Sequence, residues 1–131
     1  MGNIITTIKS LPGLRSLTPA SSDAIAEAEI QLGLHFSDEY KRYLSEFGAI
    51  YSKIVELKGI AKTMGYDVVA FTKMIREVTP NIPNDFYVIS DMETNVAVIC
   101  QDDKGVIYEW RGNDEAIPIA SSLVQYIENR R

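Results

Sequence analysis

The run Val96-Ala97-Val98-Ile99-Cys100 is apolar at every position. A strand of that kind has no face to turn toward water, so it needs cover above and below. Strand-like runs flank it on both sides, Phe86 to Ser90 and Val106 to Trp110. Asp102-Asp103-Lys104-Gly105 joins the last two runs as a tight hairpin, with Gly105 suited to a left-handed position. The chain must therefore build a sheet around a buried central strand and supply helices to cover it.

The helices announce themselves by caps and spacing. Thr18-Pro19-Ala20-Ser21-Ser22-Asp23 is a helix start, with a hydroxyl cap and an acid in the first turn. Ile25, Ala28, Glu29 and Leu32 follow at helical spacing, and Gly33 stops the helix. Ser37 caps a second helix whose apolar stripe is Tyr40, Tyr43, Leu44 and Phe47, ended by Gly48. Asp67 caps a third, Val68 to Val78, with Val68, Phe71, Thr72 and Ile75 on one side. Pro118 precedes a last helix, Ser121 to Asn129, with Leu123, Val124, Tyr126 and Ile127 inward. Asn3 to Leu11 reads as a short helix or an extended arm, ended by Pro12-Gly13. From Ile50 to Ile60 the period drops to two, which reads as a single strand. This order predicts an α+β fold: a single domain over residues 1–131 with a largely antiparallel, mixed β-sheet covered by α-helices. Residues 1–18 would form an N-terminal helix or arm.

Composition narrows the chemistry. At 131 residues, 46% hydrophobic and 24% charged, the chain is the size and make-up of one globular domain. No apolar run approaches the roughly 18 residues of a membrane span. Lys9 and Arg15 interrupt the N-terminal apolar stretch, so no signal peptide is expected. Cys100 is the only cysteine and His35 the only histidine, which excludes an internal disulfide framework and multi-ligand zinc sites. No cofactor or metal is expected. Cys100, in the most apolar run, reads as an inert core residue, and His35, in a connecting turn, as structural.

Charge is lopsided. Residues 1–80 balance nine basic with nine acidic side chains; residues 81–131 hold four against nine and carry the whole −5. Between Asp85 and Glu115, Asp85, Asp91, Glu93, Asp102, Asp103, Glu109, Asp114 and Glu115 face only Lys104 and Arg111. Such a face repels phosphate backbones, which disfavours direct nucleic-acid binding. It attracts a basic protein and speeds the encounter.

The segment from Pro19 to Gly48, with Ile25 and Glu29, then Leu32-Gly33, then Tyr40-Lys41, Leu44 and Phe47-Gly48, resembles the signature of the SUKH superfamily. That group includes the yeast Smi/Knr cell-wall regulators and many bacterial immunity proteins. Further motifs keep step: Leu57-Lys58-Gly59-Ile60, Ile82-Pro83 ahead of Tyr87-Val88-Ile89-Ser90-Asp91, and Gly105-Val106-Ile107-Tyr108-Glu109-Trp110. Ile119 to Ile127 resembles the closing helix. Phe36-Ser37 replaces the usual Leu-Pro, Gly48-Ala49 a double glycine, and Met92-Glu93-Thr94-Asn95 a glycine- and aspartate-rich turn. The resemblance implies a cytoplasmic, non-enzymatic protein that neutralises a cognate toxin, a basic nuclease domain, by stoichiometric binding. The alternative it implies is a general adaptor of the Smi/Knr type. The residues assigned to partner binding are Asp91, Glu93, Asp102, Asp103, Glu109, Trp110 and Asp114.

Three other patterns are weaker. Asp38 with Glu56-Leu57-Lys58 is a partial match to a metal-dependent nuclease pattern. Asp91-Met92-Glu93-Thr94-Asn95 is half a calcium loop, without the glycine and distal glutamate it needs. Met1-Gly2-Asn3-Ile4-Ile5-Thr6 matches a myristoylation pattern that requires a eukaryotic host.

Overall fold

The longer helices start on the caps that the sequence assigns them. The computed structural model describes residues 3–91, 97–112 and 115–131. Helix α1 spans Ile4–Lys9 behind Asn3, so the N-terminal segment is a helix and not an arm. Ser21 opens α2 (Ser22–Leu32), Ser37 opens α3 (Asp38–Phe47), Asp67 opens α4 (Val68–Val78) and Ser122 opens α5 (Leu123–Asn129). Each of these four side chains accepts a backbone N–H three residues on, at 3.0–3.1 Å. Such a cap contributes about 1 kcal/mol.

The strands form two antiparallel groups. Strands β1 (Arg15–Ser16), β2 (Ile50–Tyr51) and β3 (Glu56–Leu57) make one, in that order. Strands β4 (Tyr87–Asp91), β5 (Val98–Gln101), β6 (Ile107–Trp110) and β7 (Ala116–Ala120) make the other, also in sequence order. A seam joins them: Lys58 N–H donates to the Ile89 carbonyl at 2.7 Å, and Ser90 Oγ to the Glu56 carbonyl at 2.8 Å.

Two sequence readings change here. The segment Ile50 to Ile60 is a tight hairpin, not one strand. Ser52 folds it back: its N–H donates to the Val55 carbonyl, and its Oγ accepts from Ile54 and Val55 N–H. Pro118 does not introduce the last helix but sits inside β7, the outer strand of its group. An edge strand tolerates proline because it needs no donor on its free side.

Alternation sorts the sheet's two faces. Tyr87, Ile89, Ile99 and Ile107 join the larger core with α1, α2, α3 and α5. Val88, Val98, Cys100 and Trp110 join a second core, with Phe71 and Ile75 of α4 packed against it. The central strand β5 is buried along its whole length, as its sequence requires. Backbone meets backbone where Gly48 faces Gly59. A Cβ on Gly59 would collide with the Gly48 carbonyl, so only glycine allows the α3 exit and the β3 exit to touch.

Candidate functional site

Between β5 and β6 the chain turns on one carboxylate. Asp102 is only 5% exposed. Its Oδ1 accepts from Lys104 N–H and Val106 N–H, and its Oδ2 from the Tyr108 hydroxyl, each at 3.0 Å. Gly105 takes the left-handed conformation expected of it, at φ 92°. Asp85 and Asp103, both exposed, converge on the same turn: oxygens of the three carboxylates lie within 4.8 Å of one another. Burial, followed by the bond to Asp102, pushes the Tyr108 hydroxyl up to about 12.

The turn stands on a buried polar network. Tyr87 Oη accepts from Ser37 N–H at 3.0 Å and donates to Gln101 Oε1 at 2.9 Å, with the Asp102 carbonyl 3.2 Å away. The Gln101 amide nitrogen donates to the Gly105 carbonyl at 3.0 Å and to Glu39 Oε1 at 3.1 Å. Glu39 in turn accepts from Leu123 N–H at 2.7 Å and Val124 N–H at 3.1 Å, which caps α5 from across the fold. Burial drives the Tyr87 phenol well above its ordinary range. Among the described residues no buried side-chain polar atom lacks a partner.

The residues assigned to partner binding fall into separate places. Asp102 and Asp103 share the turn with Asp85, but Asp102 points its carboxylate into the turn rather than toward solvent. Asp91 lies at the far end of β4, where Oδ1 is 3.3 Å from Lys58 Nζ. Glu109 pairs with Arg111 at 3.1 Å; it opposes Ile99 and Ile117, the alternation setting it on the face away from Trp110. Trp110 is 3% exposed and donates its Nε1–H to Thr79 Oγ1 at 3.1 Å, so its ring packs within the second core. Glu93 and Asp114 lie outside the described residues, as do most of the half calcium loop and Gly2 of the lipidation pattern.

Other candidates also find their places. His35 is exposed, with Nδ1 3.9 Å from Glu29 Oε2. Cys100 is fully buried, and burial pushes its thiol far above its ordinary range, which makes it unreactive. Glu56 faces solvent while Lys58 is buried, so the nuclease-like pattern assembles no common site. Beside α4 an apolar groove of about 330 Å³ is walled by Phe71, Met74, Ile75 and Val78, with Asp91 and Arg111 among its polar lining.

The family model described as SUKH_5, SMI1-KNR4 cell-wall, matches residues 1–130. The chain belongs to the SUKH family. Helices on an antiparallel α+β sheet are the architecture that SUKH membership implies, and the resemblance noted at Pro19 to Gly48 belongs to a match along nearly the whole chain. No curated protein matches this SUKH chain. Sequence reasoning missed the inward roles of Asp102, Gln101 and Glu39. The signal for Asp102 was present: an aspartate followed at two and four residues by turn amides is a strong local acceptor. Glu39 gave no such signal, because its partners lie more than sixty residues away.

Proposed function

We propose that this SUKH protein is a non-enzymatic immunity protein that neutralises a cognate toxin in the cytoplasm by stoichiometric binding. Its partner is a basic toxin domain of the nuclease class. The observation that carries this reading is the acidic corner where Asp103, on the Asp102–Gly105 turn, meets Asp85, ahead of β4, in the half of the chain that owns the whole −5 charge. A nuclease needs a cationic surface for its own substrate, and an anionic protein corner competes for that field. Asp85 and Asp103 supply the exposed charge, and Asp102 sets the turn that presents Asp103.

The test is co-expression with a toxin encoded beside this gene. Rescue of growth and formation of a one-to-one complex are expected. The double reversal Asp85→Lys with Asp103→Lys should slow association about tenfold at low salt and flatten its salt dependence. An unchanged association rate would remove the acidic corner from the interface. No rescue and no complex would refer the protein to the Smi/Knr adaptor reading.

A further inference from the structure

We infer that the acidic turn Asp102–Gly105 and the N-terminus of α5 form one cooperative unit, joined by Gln101 and Glu39, so that a partner immobilising either surface immobilises both. The two surfaces belong to different parts of the chain and share no direct bond among the described residues. One side-chain amide bridges them, beside the pairing of Ile107 with Ala120 that joins β6 to β7. Gln101 is 0% exposed, and its nitrogen gives one hydrogen to the Gly105 carbonyl of the turn and the other to Glu39. The Glu39 oxygen that receives it also receives Leu123 N–H, and its second oxygen receives Val124 N–H. The Gln101 oxygen is held by Tyr87, whose hydroxyl also takes Ser37 N–H at the start of α3.

The physical consequence follows from burial. An amide with no access to water cannot exchange a lost protein bond for a bond to solvent. If the turn opens, one Gln101 hydrogen is stranded and the amide is free to rotate away from Glu39. If α5 lifts, Glu39 loses the two N–H groups that orient its carboxylate and no longer fixes the Gln101 amide. Opening at either end therefore lowers the cost of opening the other, and the two fluctuate together. This coupling does not depend on what the partner is, and it stands whether or not the protein is an immunity protein.

Native-state hydrogen exchange on the full chain tests it. Glu39→Gln keeps shape but breaks the cap. The direct effect falls on Leu123 and Val124; the inferred effect is about tenfold faster exchange at Lys104 and Val106, whose amides touch only Asp102. Asp102→Asn supplies the reverse direction and should speed exchange at Leu123 and Val124 by a similar factor. It also keeps the test open should Glu39→Gln not fold. Amides of α2 serve as the control and should not change. Acceleration confined to the mutated end, or spread equally into α2, would overturn the inference.

Discussion

Lys58 and Asp91 form an ion pair with one member sealed inside the protein and the other half in water. The lysine is 2% exposed and the aspartate 45%. Lys58 Nζ also donates to the Gly65 carbonyl at 2.6 Å and sits 4.0 Å over the Phe71 ring. The ammonium thus binds β3 to the end of β4, the short 3-10 helix at Met64–Tyr66 and α4. Breaking a buried pair costs most when a charge is left behind. Asp91→Asn, which strands the ammonium, should lower stability by about 1–2 kcal/mol, a figure reduced for the aspartate's exposure. Lys58→Met, which removes the buried charge and keeps the stem, should cost less. Urea denaturation of both variants checks the order, and a larger loss for Lys58→Met would refute it.

Trp110 should behave as a core residue. Trp110→Ala removes a ring from the second core and leaves a cavity, at about 3–5 kcal/mol. A selective loss of partner binding with unchanged unfolding would contradict the packing described. Because Trp110 is the only tryptophan, its fluorescence reports this core alone. It should resist quenching by acrylamide until the protein unfolds.

Two glycines should respond very differently to alanine. At Gly59 the new methyl would strike the Gly48 carbonyl, a backbone atom that cannot swing aside. At Gly33 it would meet nothing within 4 Å, and only the positive φ of 66° resists it. Gly33→Ala should therefore cost about 1 kcal/mol, whereas Gly59→Ala should abolish the native fold or cost several times more. Comparable melting temperatures for the two variants would show that the contact is not rigid.

Alkaline pH should weaken the fold through its phenols. Burial raises Tyr40, Tyr43, Tyr87 and Tyr126 above the ordinary value near 10, and lifts Tyr108 to about 12. Each folded phenol keeps its proton to higher pH than the unfolded chain does. The stabilisation is complete below about pH 10 and declines as the pH rises through the folded values. Stability measured by denaturant should be flat up to about pH 10 and then fall, with phenolate absorbance appearing as the protein unfolds. Tyr108→Phe should remove its share of the slope. A midpoint unchanged at about pH 11 would count against the buried phenols.

How much of this was legible in the sequence depends on the range of each interaction. Ser21, Ser37 and Asp67 cap helices through bonds three residues long, and spacing alone reveals them. The stripe Tyr40, Tyr43, Leu44, Phe47 is buried as written, and so is β5. The hairpin inside Ile50 to Ile60 was hidden because the alternation of apolar and polar residues continues through the turn. Strand β7 was hidden because Pro118 looks like a helix opener until its partner β6 is in place. The candidate site was least legible. A run of acids shows the sign of a surface, but not that Asp102 turns inward or that Asp91 answers a buried lysine; only the placing of Glu109 on the face opposite Trp110 follows from strand alternation.

Pro118 has a consequence beyond local pairing. It stands in the middle of β7, the outermost strand, where a flat ladder would otherwise offer its donors to any similar strand nearby. A residue without an N–H leaves a gap in that ladder and discourages identical molecules from zipping together. The interruption makes this rim a poor template for the same rim of a second copy.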